Sequence, residues 1–319
     1  MKLIKFYKIL FIFLLIFIIN ARKVKNNKVI KKNKRKRHLK SRNLKLNIIP
    51  KENTLDELIY NNKSIVRFGD GEYDLIFGRK ISFQEYDEKL SERLNEILKT
   101  DEKGLLIGIH DSLNEDFINK YFTESAKTFW KNWIKNNEKK LIHLLDENKT
   151  YYSSQISRFY MDYKDKSNVS LYVNKLKKLW DKKDIVIIEG DKSRLGVGND
   201  LFNNTNTIQR ILCPSVNAFE IYDKIYNESL KIPKNKLVLI ALGPTATVLG
   251  YDLYKKGYQA IDIGHIDIEY EWYLRNSTYK VKIENKYTNE AIEGSINIKD
   301  IDDANYNKQI IAKIINEEN

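Results

Sequence analysis

With 319 residues and 42% hydrophobic content, the chain can bury one α/β core of ordinary size plus an appendage, or two small domains. The net charge of +13 invites a nucleic-acid reading, but residues 1–50 hold 16 Lys and Arg and no Asp or Glu, leaving 40 basic against 43 acidic residues elsewhere. The remainder has no positive excess to hold a phosphate backbone, which excludes nucleic acid as a partner. Cys213 is the only cysteine, so neither an intrachain disulfide nor a CxxC zinc site is possible.

The chain begins with an apolar stretch that is unbroken from Ile9 to Ile19 and flanked by Lys5 and Lys8. It is short for a full span, and lysine snorkelling could extend it. We expect residues 1–21 to be a hydrophobic membrane anchor. A cleaved signal fits less well, because Ile19-Asn20-Ala21-Arg22 lacks a small-x-small junction, and a buried helix does not suit basic flanks. Residues 22–50, including Lys31-Lys32-Asn33-Lys34-Arg35-Lys36-Arg37, read as a solvated basic tether or one held by anionic lipid. Thirteen Lys and Arg follow the apolar run against three before it, which favours a cytoplasmic position for the rest of the chain. A lumenal orientation would expose the sequons at Asn62, Asn148 and Asn276.

Regular patterning starts near Thr54. Strands are predicted at 64–68, 105–109, 184–189, 237–242 and 260–263. Helices are predicted at 86–98, through Trp130 and Trp133, and at 217–230, 246–256 and 267–274. Continuous apolar strands alternating with helices predict a Rossmann-like, mostly parallel sheet with helices on both faces. The polar, weakly patterned residues 281–319 read as an extension of a 51–280 domain. In such a sheet ligands sit beyond the carboxyl ends of the strands.

Four segments lie at such ends. Arg67-Phe68-Gly69-Asp70-Gly71-Glu72 follows the first strand. If it stays extended, Asp70 and Glu72 point the same way and offer hard oxygen ligands to one divalent metal, manganese or magnesium. Asp-x-Glu also arises by chance in an acidic chain, as Glu85-Tyr86-Asp87 shows, and the alternative is a glycine turn with solvated acids. The run Glu189 to Asp200 places Lys192 and Arg194 among glycines, where they could neutralise a diphosphate or simply decorate a surface loop. Leu242-Gly243-Pro244-Thr245 turns a strand into a helix, with Thr245 the expected N-cap and free amides that suit phosphate, unless it is an ordinary connection. Asp262 to Trp272 brings His265, Asp267, Glu269 and Glu271 to a helix start, where first-turn acids are favourable in any case.

These segments, together with Ile211 to Phe219, resemble the GT-D-fold glycosyltransferases over roughly Thr54 to Asn276. The resemblance implies a GT-D type fold, a UDP-sugar as donor and co-substrate, a divalent metal (Mn2+ or Mg2+) on Asp70 and Glu72, and a glycan or glycoconjugate acceptor. Arg67, Lys192, Arg194, Gly243 and Thr245 are then the expected donor contacts. Glu271, Asp267 and His265 are the candidates for taking the acceptor's proton. The hydrophobic, basic N-terminus departs from soluble members of the family. A metal-dependent nucleotide or phosphate-ester hydrolase would need the same contacts, and an inactive membrane-tethered binding module is the rival outside enzymes.

Overall fold

The computed structural model describes residues 44–294 and 296–315, so the expected anchor and most of the tether lie outside the described residues. Among the described residues no helix is long and apolar enough to cross a membrane.

Among the described residues nine parallel strands form one sheet: β1 (Asn47–Ile49), β2 (Ser64–Phe68), β3 (Leu105–Ile109), β4 (Thr150–Ser153), β5 (Asp184–Gly190), β6 (Thr207–Cys213), β7 (Leu237–Ala241), β8 (Ala260–Asp262) and β9 (Ile310–Lys313). Their spatial order is β1-β4-β3-β2-β8-β7-β5-β6-β9, and every pairing is parallel. Between the strands run α1 (Lys51–Tyr60), α2 (Asp70–Ile76), α3 (Glu88–Lys99), α4 (Glu115–Tyr121), α5 (Glu124–Leu144), α6 (Val169–Lys177), α7 (Tyr222–Ser229), α8 (Pro244–Lys255), α9 (Ile266–Leu274) and α10 (Ala304–Gln309).

Strand alternation explains why the apolar runs are continuous. Ile185, Ile187, Leu237 and Leu239 face one core with Trp180 and Trp272. Their neighbours Val186, Ile188, Val238 and Ile240 face a second core with Leu249 and Leu253. A sheet covered on both sides needs apolar residues at both parities. Beside β2 the strand order turns, with β3 and β4 to one side and β8 and β7 to the other. That turn is where open α/β sheets leave a crevice beyond their carboxyl ends.

The predicted elements from β2 to α9 are present, but β4, β6, α2 and α6 also form in that range without having been predicted. The expected 217–230 helix is two pieces, a 3-10 turn at Ala218–Ile221 and then α7. The expected tether ends in β1, which pairs with β4. The weakly patterned tail closes the other edge of the sheet, with β9 pairing with β6. Residues 45 onward thus belong to one compact unit.

Candidate active site

A cleft of about 940 Å3 lies at the carboxyl end of the sheet, and residues following β2 through β8 all reach its wall. Parallel pairing sends all these chain reversals to one side, which is why segments distant in sequence meet there.

Gly69 ends the extended chain, and α2 begins at Asp70 rather than continuing as a strand. Asp70 and Glu72 are therefore not an extended same-side pair. On a helix, two residues turn by roughly 200°. Both still line the cleft, because Glu72 folds back over the helix start and its Oε2 accepts the Gly69 amide at 2.7 Å. Burial raises the Glu72 carboxyl to about 7, against the Gly69 hydrogen bond and with Asp262 and Asp70 adding to the rise. Burial also raises Asp70, opposed by Arg158.

Among the described residues no group of three or more His, Cys, Asp and Glu side chains forms a ready-made cation cage. Asp70 and Glu72 nonetheless suit a divalent cation, since these carboxylates are desolvated and neither forms an ion pair with a described residue. A hard cation can complete its shell with ligand and water oxygens.

Arg67 crosses beneath the cleft. Its Nη1 donates to Ser154 O at 3.0 Å and Ser157 Oγ at 2.6 Å, and its Nη2 to Asp262 at 2.9 Å. It lines the wall, but its hydrogen-bonded donors bind protein. Gly264, at φ +46°, admits this guanidinium, because a Cβ there would lie 2.0 Å from Nη2. Gly243, at φ +53°, is the N-cap of α8, with Pro244 as the first helical residue. It lines the cleft under Phe83, which a Cβ would meet at 2.5 Å. Thr245 is consequently not the N-cap. It sits in the first turn, fully buried, with its hydroxyl unpartnered, and it is not part of the cleft wall.

Lys192 and Arg194 also leave the wall. Lys192 bonds Asp300 at 2.8 Å, and Arg194 donates to Asn285 O and Lys299 O at 2.8 and 2.9 Å. The two cations clamp the C-terminal segment instead of facing a ligand.

The three base candidates separate. Asp267 reaches the wall but is saturated: it accepts from Gly196 N and Asn199 Nδ2 at 2.8 Å each and from Lys286 Nζ at 2.7 Å. Glu271 is off the wall and accepts from Asn199 at 2.7 Å and Lys286 at 3.1 Å. Its carboxyl lies below the usual range: burial raises it, but Asn199, Lys286 and Arg275 together lower it further. His265 caps α9 and lines the cleft, 3.7 Å from Glu290. Burial lowers its imidazole to about 4, with Glu290 opposing and Arg158 reinforcing the shift, so it is neutral near pH 7.

Sequence reading missed Arg158, Lys280 and Glu290, all on the wall. Arg158 pairs with Glu290, and Lys280 bonds the same carboxylate at 2.5 Å. Nothing local marks them: Arg158 follows a 3-10 turn, and Glu290 lies in the weakly patterned tail.

Comparison with known proteins bears on the fold that carries this cleft. Residues 65–291 match the family described as glycosyltransferase GT-D fold. The chain is 41% identical over 266 residues to "Glycosyltransferase GlyD" of Streptococcus pneumoniae, covering 83% of this chain and 32% of the relative. It is 41% identical over 278 residues to "Probable glycosyl transferase Gly" of Streptococcus gordonii, covering 85% and 39%. It thus spans between 32% and 39% of those relatives' lengths. A solved structure of domain of unknown function 1792, described as having a distinct glycosyltransferase fold, superposes with a TM-score of 0.80 at 44% identity, covering 86% of this chain and 98% of that one. A glycosyltransferase of the same domain type from Streptococcus sanguinis superposes with a TM-score of 0.79 at 40% identity, covering 84% and 99%. With a family match across β2 to the segment beyond α9 and superposition over nearly the whole of these solved domains, this chain belongs to the GT-D-fold glycosyltransferase family.

Proposed function

We propose that this chain transfers a sugar from a UDP-sugar to a glycan or glycoconjugate acceptor, with a divalent cation on Asp70 and Glu72. The observation that carries the reading is the cleft's charge. Its wall has the carboxylates Asp70, Glu72, Asp162, Asp262, Asp267 and Glu290, against the cations Arg67, Arg158 and Lys280. A diphosphate would enter an acidic pocket, and two like charges at contact distances repel by about 1–4 kcal/mol even at aqueous or surface dielectric. Asp70 and Glu72 would hold a divalent cation whose charge would offset that repulsion. When bound, Mn2+ or Mg2+ would act as a Lewis acid on the departing diphosphate.

The chain's own residues do the rest. Gly243 lets the backbone at the start of α8 approach the donor closely. His265 is our choice of base: it faces the cleft with a free lone pair at neutral pH, whereas Asp267 and Glu271 are held in ion pairs. As His265 takes the acceptor hydroxyl's proton, Glu290 at 3.7 Å offsets the new charge. Phe129 and Tyr279, 50% and 71% exposed on the same wall, would form the acceptor's apolar platform. Residues 1–21 would tether the domain to a membrane, with the catalytic part on the cytoplasmic side.

The test incubates the full chain with Mn2+, a panel of UDP-sugars and oligosaccharide acceptors, and analyses the products. Sugar attached to acceptor supports transfer. Sugar released only to water, with every acceptor, replaces this reading with a hydrolase.

A further inference from the structure

With Lys192 and Arg194 bound to the C-terminal segment, the donor's diphosphate needs another protein cation. The wall offers three. Arg67 has both terminal nitrogens bonded to Ser154, Ser157 and Asp262, and its Nε is buried. Lys280 is shared between Glu290 at 2.5 Å and Asp162 at 3.8 Å. Arg158 differs from both. Its Nη2 donates to Glu290, while its Nε and Nη1 form no hydrogen bond with the described residues and are not among their buried, unpartnered atoms. Nη2 carries a second N–H, and together with the adjoining Nε or Nη1 it leaves one two-donor edge of the guanidinium open. Arg158 also lines the same cleft wall as Asp70 and Glu72.

We propose that Arg158 takes the donor's diphosphate through this open edge, and that Glu290 is its positioning residue. The inference rests on the nucleotide-sugar reading above. A guanidinium presents paired donors in a fixed plane that matches two phosphate oxygens, and an ammonium does not. A single corner contact to Glu290 fixes that plane without consuming the open edge. Glu290 comes from the segment beyond α9, so this segment enters the site by aiming a residue of the 3-10 turn region rather than by touching the donor. The division of work also explains why the wall tolerates another carboxylate: Glu290 is matched by Arg158 and Lys280.

The test is calorimetric titration of UDP into the full chain with Mn2+ present, for wild type, R158Q, R158K, E290Q and the double variant R158Q/E290Q, with uridine as a second ligand. We expect R158Q to weaken UDP at least tenfold and leave uridine unchanged. R158K should recover only part of the loss, because it restores charge without the planar fork. E290Q should weaken UDP severalfold while uridine stays constant, an effect that a merely structural role would not confine to the diphosphate. The double variant leaves no unmatched Glu290 charge from the lost Arg158, so it keeps the measurement possible if R158Q misfolds, and it should match R158Q. UDP affinity at the wild-type level in R158Q, or in the double variant, overturns the assignment. Titration with pyrophosphate separates the two readings. If wild type binds pyrophosphate in an Arg158-dependent way but not UDP, Arg158 stands and the nucleotide-sugar reading falls. If it binds neither, both are overturned.

Discussion

Lys286 Nζ lies 2.7 Å from Asp267 Oδ2 and 3.1 Å from Glu271 Oε1, joining the segment after α9 to the buried face of that helix. Lys286 is only 5% exposed, so its charge is stabilised by these two acids and theirs by it. Removing one member of a buried ion cluster leaves uncompensated charge, which costs about 3–5 kcal/mol. Lys286→Met should therefore lower stability by a few kcal/mol in urea unfolding. An unchanged midpoint would mean that the cluster is hydrated rather than structural.

The same relationship sets the limits of the folding unit. A chain ending at residue 280 loses Lys286, Glu290 and β9 and should fail to fold. A chain starting at residue 45 keeps every strand and should remain soluble and cooperative. Circular dichroism melts of the two truncations decide this. A stable chain ending at residue 280 would show that the C-terminal segment is dispensable.

Asp70→Asn and Glu72→Gln should each weaken Mn2+ binding by at least the roughly tenfold seen when a supporting outer-shell partner is lost. The double variant should be little worse than either single one, because either change breaks the same site. Glu72→Gln keeps an oxygen for the Gly69 amide, so its melting temperature should hold. Asp74→Asn is the control: Asp74 accepts from Arg79 and from Trp133 Nε1 at 3.2 Å, so its loss touches stability and not the cation. Manganese titration followed by calorimetry reads all four, and wild-type affinity in both single variants would refute the metal assignment.

His265→Gln should cut turnover about 100-fold or more while UDP affinity stays within twofold, the signature of a lost general base. Asp267→Asn should instead lower the melting temperature, because it unpairs Lys286. If the effects are reversed, the base lies on Asp267.

Asp111 provides a pH test. It is buried beside β4, accepts from the Ser153 hydroxyl, and is raised by burial to about 7 from an ordinary 3.8, against the Ser153 hydrogen bond and the Lys51 charge. A raised acid holds its proton in the folded state after the unfolded chain has lost it. Its contribution is therefore fully present below about pH 4, declines up to about 7, and is constant above that. Asp111→Asn removes the decline, so the stability of the variant relative to wild type should rise between pH 4.5 and 7.5. A difference that does not vary with pH would show that Asp111 titrates normally.

What the sequence determined by itself is the framework and the address of the site. The apolar runs around Ile185–Ile188 and Leu237–Ile240 have no polar parity, which only a sheet covered on both faces satisfies, and such a sheet puts its ligand beyond the carboxyl ends. Gly69 to Glu72, Gly243 and His265 could be placed at the cleft for that reason. Tertiary structure decided which of the charged residues are free. Asp267 and Glu271 look like bases in one dimension. Asn199 and Lys286, brought from before and after α9, consume them. Lys192 and Arg194 look like phosphate ligands until Asp300, Asn285 and Lys299 claim them. Arg158 and Glu290, 132 residues apart, show nothing until they pair. Hydrophobic periodicity is a repeating signal, so it survives in a single chain. An ion pair between two isolated residues has no period and exists only once the fold has closed the distance.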